Sequence, residues 1–215
     1  MGAGVPKALI EVGGRPMVRW SVDALALSPE VSGVLVIAPP GHEGDIARAV
    51  DGIDAVQAII PGGTTRSRSV ACGLRAVPET ADAVLVHDAA RPLVTPELVS
   101  RLLDALGGVD GAIAAAPLVD TVKRQGDDGL IARTVDRAAL WLAQTPQVFL
   151  RAVIEGAFGG ATDADLDAAT DCSWLVERSG RRVALVDPGS PNIKVTTPAD
   201  LVVVEALLRA RLPGP

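Results

Sequence analysis

Aromatic rings are scarce in this chain: three Trp, two Phe and no Tyr make up 2% of its 215 residues. A protein that reads single-stranded nucleic acid by stacking bases on aromatic platforms is therefore disfavoured. The core has to be built from Ala, Val, Leu and Ile. Cysteine is equally rare. Cys72 and Cys172 stand far apart with no CxxC, and there are only two histidines, which argues against a disulfide framework and a structural zinc site. An excess of positive charge is missing too. The 20 Lys and Arg face 26 Asp and Glu, for a net charge of −6. No general field draws in a polyanion, so a nucleic-acid partner is not expected and any phosphate must be met by a local cluster. The apolar runs, such as Val34–Ala38 and Val84–Val86, are far too short to span a bilayer. Met1–Lys7 lacks the apolar stretch of a signal peptide. These absences together lead us to expect a cytoplasmic protein with no membrane association.

What is present is aliphatic material: 48% of residues are hydrophobic and 21% charged. That suffices for one well-buried domain over residues 1–215. Continuous apolar runs at Val34–Ala38, Ala55–Ile60, Ala83–Val86, Ala112–Ala116 and Val183–Val186 suit strands covered on both faces of a mostly parallel sheet. Helical patterns alternate with them. Pro16 opens one, with Met17, Trp20, Ala24 and Leu27 expected on its buried face. Thr95-Pro96 caps another running to Leu106, and Thr197-Pro198 repeats the device before a terminal helix. The alternation predicts an α/β three-layer sandwich with a Rossmann-like sheet. One stretch departs from it. Residues 117–139 are polar and charged, with extended segments around Thr121–Lys123 and Leu130–Val135 flanking Gly126-Asp127-Asp128-Gly129. This reads as a projecting β-hairpin arm for dimerisation, the competing reading being a surface loop.

Four short segments place small residues and isolated charges at strand ends, where open α/β sheets bind ligands. They are Val5-Pro6-Lys7-Ala8, Pro61-Gly62-Gly63 through Ser69, His87-Asp88-Ala89-Ala90-Arg91-Pro92, and Asn192-Ile193-Lys194-Val195-Thr196. A Gly pair before a helix is either a plain turn or an anion site. Asp88 beside Arg91 either closes its loop as an ion pair or holds Mg²⁺ while the arginine meets phosphate. His87 reads as a structural polar residue. Lys194 gains meaning only in company.

Taken in order, Pro6-Lys7, Gly62-Gly63-x-x-Arg66-x-x-Ser69, Val86 through Pro92, Asp120 through Lys123, Thr134 through Arg137, Thr145-Pro146-Gln147 and Asn192 through Thr196 form a series. It resembles the 2-C-methyl-D-erythritol 4-phosphate cytidylyltransferase family of the non-mevalonate isoprenoid pathway, from about Gly4 to Arg209. The resemblance implies a nucleotidyltransferase fold and a reaction in which CMP passes from CTP to the methylerythritol phosphate. It implies that Lys7 lies against the CTP triphosphate and stabilises charge at the α-phosphorus, and that Gly63, Arg66 and Ser69 help hold the nucleotide. Asp88 would bind Mg²⁺ and, with Ala89 and Arg91, line the nucleotide pocket, and Asp88 and Arg91 would also adjoin the second substrate. Thr121 and Arg137 on the arm would reach into the site of a second copy in a homodimer. Thr145 and Lys194 would contact the same substrate, so that Lys7, Arg137 and Lys194 form the catalytic set.

The family opens with a strand and a loop of the type Ala-Ala-Gly-x-Gly-x-Arg, and Met1-Gly2-Ala3-Gly4 corresponds to the linker after it. That strand and loop are therefore expected to be missing from these residues, leaving two sheet neighbours short of a partner. Two other activities remain open at this point: a cytidylyltransferase for another polyol phosphate such as ribitol 5-phosphate, or an inactive dimeric paralogue.

Overall fold

The computed structural model describes residues 5–211. Met1–Gly4, the expected linker, lies outside the described residues. A single 3₁₀ turn at Lys7–Leu9 leads into a small antiparallel pair, β1 (Glu11–Val12) and β2 (Arg15–Pro16), closed by Gly13 and Gly14. Both glycines have positive φ, 58° and 76°, a backbone region that L side chains avoid. Helix α1 (Met17–Ala26) follows and buries Met17, Val18, Ser21, Val22 and Leu25. That is the stripe a 3.6-residue period lays down. It corrects the expected face: Leu27 is 73% exposed, because it lies two residues, roughly 200°, round the helix from buried Leu25.

The βα alternation then runs through β3 (Val34–Ala38), α2 (Glu43–Ala49), β4 (Val56–Pro61), α3 (Arg66–Leu74), β5 (Ala83–Val86), α4 (Pro96–Asp104) and β6 (Gly111–Pro117). Thr65 and Thr95 cap α3 and α4 through their hydroxyls, which accept from Arg68 N and Leu98 N. A hairpin follows, β7 (Val122–Gln125) paired antiparallel with β8 (Ile131–Val135). After it come β9 (Trp141–Leu150), α5 (Arg151–Gly159), α6 (Asp163–Ala168), α7 (Cys172–Arg178), β10 (Val183–Val186) and α8 (Pro198–Arg211).

The larger sheet has the order β10-β6-β9-β5, with β10 parallel to β6 and β9 antiparallel to both of its neighbours. It is thus a mixed sheet within an α/β fold. Strands β3 and β4 form a separate parallel pair. Among the described residues β3 ladders only with β4, and β5 only with β9. The two sheets meet through side chains: Leu85 of β5 packs into the cluster formed by Val34, Val36, Ala38, Val94 and Val99.

Strand β9 does not stand out in the sequence, because Gln144, Thr145, Pro146 and Gln147 interrupt its apolar run. Those polar residues are accommodated by hydrogen bonds. Gln147, 1% exposed, donates to Gln144 O and Asp171 Oδ2 and accepts from the amides of Cys172 and Ser173 at the start of α7. The largest fully buried side chain of the aliphatic core is the ring of Phe149. Gly111 makes room for it: a Cβ there would stand 2.3 Å from the ring edge.

Candidate active site

The parallel strands end on one side of the sheet, and the loops that leave them converge there. Pro39 and His42 follow β3, Arg66 follows β4, Asp88 and Ala89 follow β5, and Lys194 comes from the loop between β10 and α8. All of them, together with Lys7, line one cavity of about 770 Å³. This is the crevice beyond the strand carboxyl ends where open α/β sheets bind ligands.

Asp88 is its centre. Its Oδ1 accepts from Arg66 Nε at 2.9 Å and its Oδ2 from Lys194 Nζ at 2.7 Å. The carboxylate is 17% exposed. Burial alone would raise its pKa, but the charge of Arg66 and the hydrogen bond and charge of Lys194 outweigh it and hold the group down at about 2. Asp88 is therefore ionised throughout the physiological range. Arg66 also reaches Cys172 Sγ at 3.6 Å. Burial nonetheless pushes that thiol up to about 11, so Cys172 is a neutral filler at neutral pH.

A second cavity, of about 740 Å³, adjoins the first. It is lined by Arg91, by Leu142–Gln144 at the start of β9, and by Asp187–Lys194. Lys194 stands on the wall between the two. The loop that carries Asp88 and Arg91 is tied down on several sides. Arg91 N donates to Asp88 O at 2.9 Å, and Val195 N to Ala90 O at 2.8 Å. Arg91 Nη1 donates to Asn192 O at 2.7 Å, while Asn192 Nδ2 donates to Thr145 O at 2.8 Å.

The structure thus brings together Lys7, Arg66, Asp88, Ala89 and Lys194, and sets Arg91 on the adjoining cavity. Gly63 and Ser69 lie behind the lining and bond to each other: Gly63 N donates to Ser69 Oγ at 3.1 Å, and that hydroxyl donates to Thr65 O at 2.8 Å. The need for glycine at position 63 is steric, since a Cβ would stand 2.6 Å from Arg68 Cβ and 3.0 Å from its backbone. Thr145 is 4% exposed and points its hydroxyl inward. Thr121 and Arg137 lie on the arm, exposed and away from both cavities, with Arg137 bonded to Val119 O. Sequence reasoning gave no role to His42, whose Nδ1 lies 3.0 Å from Asp45 Oδ2 at the cavity mouth. Its place just past a strand end was the available signal. Nor did it foresee the architectural work of Gln147 and Asn192, whose partners are remote in the chain.

Comparison with known proteins gives a consistent result. The family model described as "IspD: 2-C-methyl-D-erythritol 4-phosphate cytidylyltransferase" matches residues 1–210. A 2-C-methyl-D-erythritol 4-phosphate cytidylyltransferase from Synechococcus sp. (strain CC9902) is 42% identical, the match covering 98% of this chain and 93% of that protein. A bifunctional enzyme IspD/IspF from Anaeromyxobacter sp. (strain Fw109-5) is also 42% identical, with 97% of this chain covered and 54% of the relative. The crystal structure of the Thermus thermophilus cytidylyltransferase superposes with a TM-score of 0.79 at 38% identity, over 96% of this chain and 95% of that one. The 4-diphosphocytidyl-2C-methyl-D-erythritol synthase of Anaerococcus prevotii does so at 0.84 and 30% identity, over 97% and 94%. With sheet, cavity and matches in agreement over nearly its whole length, the chain belongs to the 2-C-methyl-D-erythritol 4-phosphate cytidylyltransferase family.

Proposed function

We propose that the cavity around Asp88 joins CTP to 2-C-methyl-D-erythritol 4-phosphate, giving 4-diphosphocytidyl-2-C-methyl-D-erythritol and pyrophosphate in isoprenoid biosynthesis. The observation that carries this reading is a largely buried carboxylate clamped between Arg66 and Lys194, in a cavity that Lys7 also lines. Three cations of a net-negative chain, Lys7, Arg66 and Lys194, line that cavity. Family membership favours the methylerythritol substrate over ribitol 5-phosphate and an active enzyme over an inert paralogue.

The chemistry asks little of a base. A phosphate monoester oxygen is already anionic near neutral pH. It attacks the α-phosphorus of CTP, a new P–O bond forms, the α–β anhydride bond breaks, and pyrophosphate carries away the electron pair. The obstacle is repulsion between two polyanions, so catalysis consists of neutralising and positioning them. Lys7 faces the triphosphate, Lys194 stands between nucleotide and acceptor, and Arg66 keeps Asp88 ionised. Gly63 and Ser69 shape the loop against which the nucleoside rests, and Ala89 and Arg91 continue that wall toward the acceptor in the second cavity.

A divalent cation fits this arrangement in one form. Among the described residues no group of three or more His, Cys, Asp or Glu side chains is placed to hold a metal, and Asp88 is the lone carboxylate lining the cavity. Mg²⁺ is commonly held by one or two carboxylates together with substrate phosphates and water, so Asp88 would take it as it arrives with CTP. When bound it would supply further charge neutralisation at the phosphates.

The arm supports a homodimer. Val119, Leu130 and Ile131 are 76%, 68% and 68% exposed, apolar side chains that a second copy packed on the arm would cover. Thr121 and Arg137 would then enter the site of the second copy and hold the acceptor phosphate, with Thr145 beneath it. No helix among the described residues is long and apolar enough to cross a membrane. Both cysteines are free thiols, in keeping with a reducing cytoplasm. Pyrophosphate release from CTP, measured with methylerythritol phosphate and with ribitol 5-phosphate, tests the assignment. Release with the second substrate alone, or with neither, overturns it.

A further inference from the structure

At the end of β5, four polar groups form a chain that the reaction itself does not call for. Asp88 N donates to Thr145 Oγ1 at 3.0 Å. Thr145 Oγ1 lies 3.3 Å from His87 Nδ1, and His87 Nε2 lies 3.1 Å from Arg91 O. The directions follow from the partners. A carbonyl oxygen only accepts, so Nε2 carries the imidazole hydrogen. The Thr145 oxygen already accepts from the Asp88 amide, which leaves its own hydrogen to donate to the bare Nδ1. Each member is satisfied, and none needs water or substrate.

We propose that His87 is a positioning residue, which acts through the Thr145 hydroxyl on the amide of Asp88 and directly on the carbonyl of Arg91. It thereby fixes both ends of the loop that carries the Asp88 carboxylate and the Arg91 guanidinium. The proposal rests on the reading of this cavity as the nucleotidyl-transfer site. It gives Thr145 a main duty different from touching substrate: its hydroxyl is spent within the protein, and the residue is 4% exposed. It also accounts for a histidine that the chemistry leaves without a proton to move. A loop free to shift by about 1 Å would misalign both substrates, which costs up to about 10²-fold in rate.

Two kinds of measurement test it. In nitrogen-15-labelled wild-type protein, the imidazole of His87 should show the neutral Nε2–H tautomer, and the Asp88 amide should exchange slowly. His87→Leu and Thr145→Val should each speed that exchange about tenfold or more. Each should lower kcat by about tenfold to 10²-fold, with KM for CTP changed less than about threefold. The double variant should be no slower than the slower single one, because both cut the same path. His87→Asn, whose amide oxygen stands where Nδ1 stood, should recover protection of the Asp88 amide. A hydrogen on Nδ1, unchanged Asp88 exchange in both variants, or losses that multiply in the double variant would overturn the proposal. If the wild-type chain releases no pyrophosphate with either polyol phosphate, the functional reading fails, while the tautomer and exchange measurements still decide whether the relay exists.

Discussion

The cavity on the sheet and the arm beside it treat their charged residues in opposite ways. In the cavity, Arg66 at the start of α3 and Asp88 and Lys194 on two separate loops meet within one chain at 2.7–2.9 Å. On the arm, Thr121 and Arg137 are exposed and Arg137 has turned back to bond Val119 O. The first region is assembled by the fold alone, since strand ends bring remote segments to one place. The second has only its own hairpin ladder to shape it, and a two-stranded ribbon positions little without something to pack on. Nucleotide chemistry should therefore be a property of one chain, and acceptor positioning a property of two.

The largest effect expected from this contrast is on turnover. Lys194→Ala, and likewise Lys7→Ala, should lower kcat by about 10²-fold or more in a pyrophosphate-release assay, as loss of a preorganised charge at a developing transition state does. Normal turnover with either substitution would break the comparison at its firmer end. Next comes acid stability. Asp88, held at about 2 against an ordinary 3.8, contributes stability that is fully present above about pH 4 and is lost as pH falls through about 2. The contribution is about 2 kcal/mol. Asp200, held down to about 2 by hydrogen bonds from Thr196 and Thr197, titrates in the same window, so chemical denaturation should show a loss larger by about 2 kcal/mol in wild type and in Arg137→Ala than in Asp88→Asn. Equal losses in wild type and Asp88→Asn would mean that the Arg66 and Lys194 contacts do not persist in solution.

A complementation experiment addresses the arm directly. Arg137→Ala and Lys194→Ala chains, each impaired alone, should regain about a quarter of wild-type activity when exchanged into mixed dimers. Half of the dimers are then mixed, and each of these carries one intact site of two. No recovery would show that the arm serves its own chain. The smallest effect is expected from Ile131→Asp, which should weaken self-association about tenfold, as placing a charge in an apolar contact does. Light scattering reads it directly, and Trp141, 37% exposed near the arm, offers a fluorescence signal.

The sequence and the structure agree most closely where a strand is aliphatic from end to end. Val34–Ala38, Ala83–Val86 and Val183–Val186 show their strands as unbroken aliphatic runs, and the structure has strands at those same bounds. Strand β9 was hidden because its polar stretch looks like a turn until Asp171, Cys172 and Ser173 are seen to satisfy Gln147. Such partners lie some 25 residues away, beyond the reach of any local pattern. The site shows the same division. Asp88 and Lys194 stood out as charges at strand ends, but nothing in their spacing of 106 residues told that they would pair. Nor did the inward turn of Thr145 show in its flanking Gln144 and Pro146. Leu27 marks a different limit: an apolar residue near a helix end is placed by the register of the helix, and a one-sided tally of hydrophobic positions does not fix that register.

Lys194, on the wall between the two cavities, has one more consequence. A single ammonium group cannot keep its full grip on Asp88 while also serving an anion on either side. Whichever ligand first draws it away meets the cost of breaking that pair, and the second finds it already broken. The two binding free energies are then coupled, and thermodynamics requires that the coupling be identical seen from either ligand. In this protein the meeting of two mutually repelling substrates would be made cooperative by one shared side chain, without any movement of the sheet beneath it.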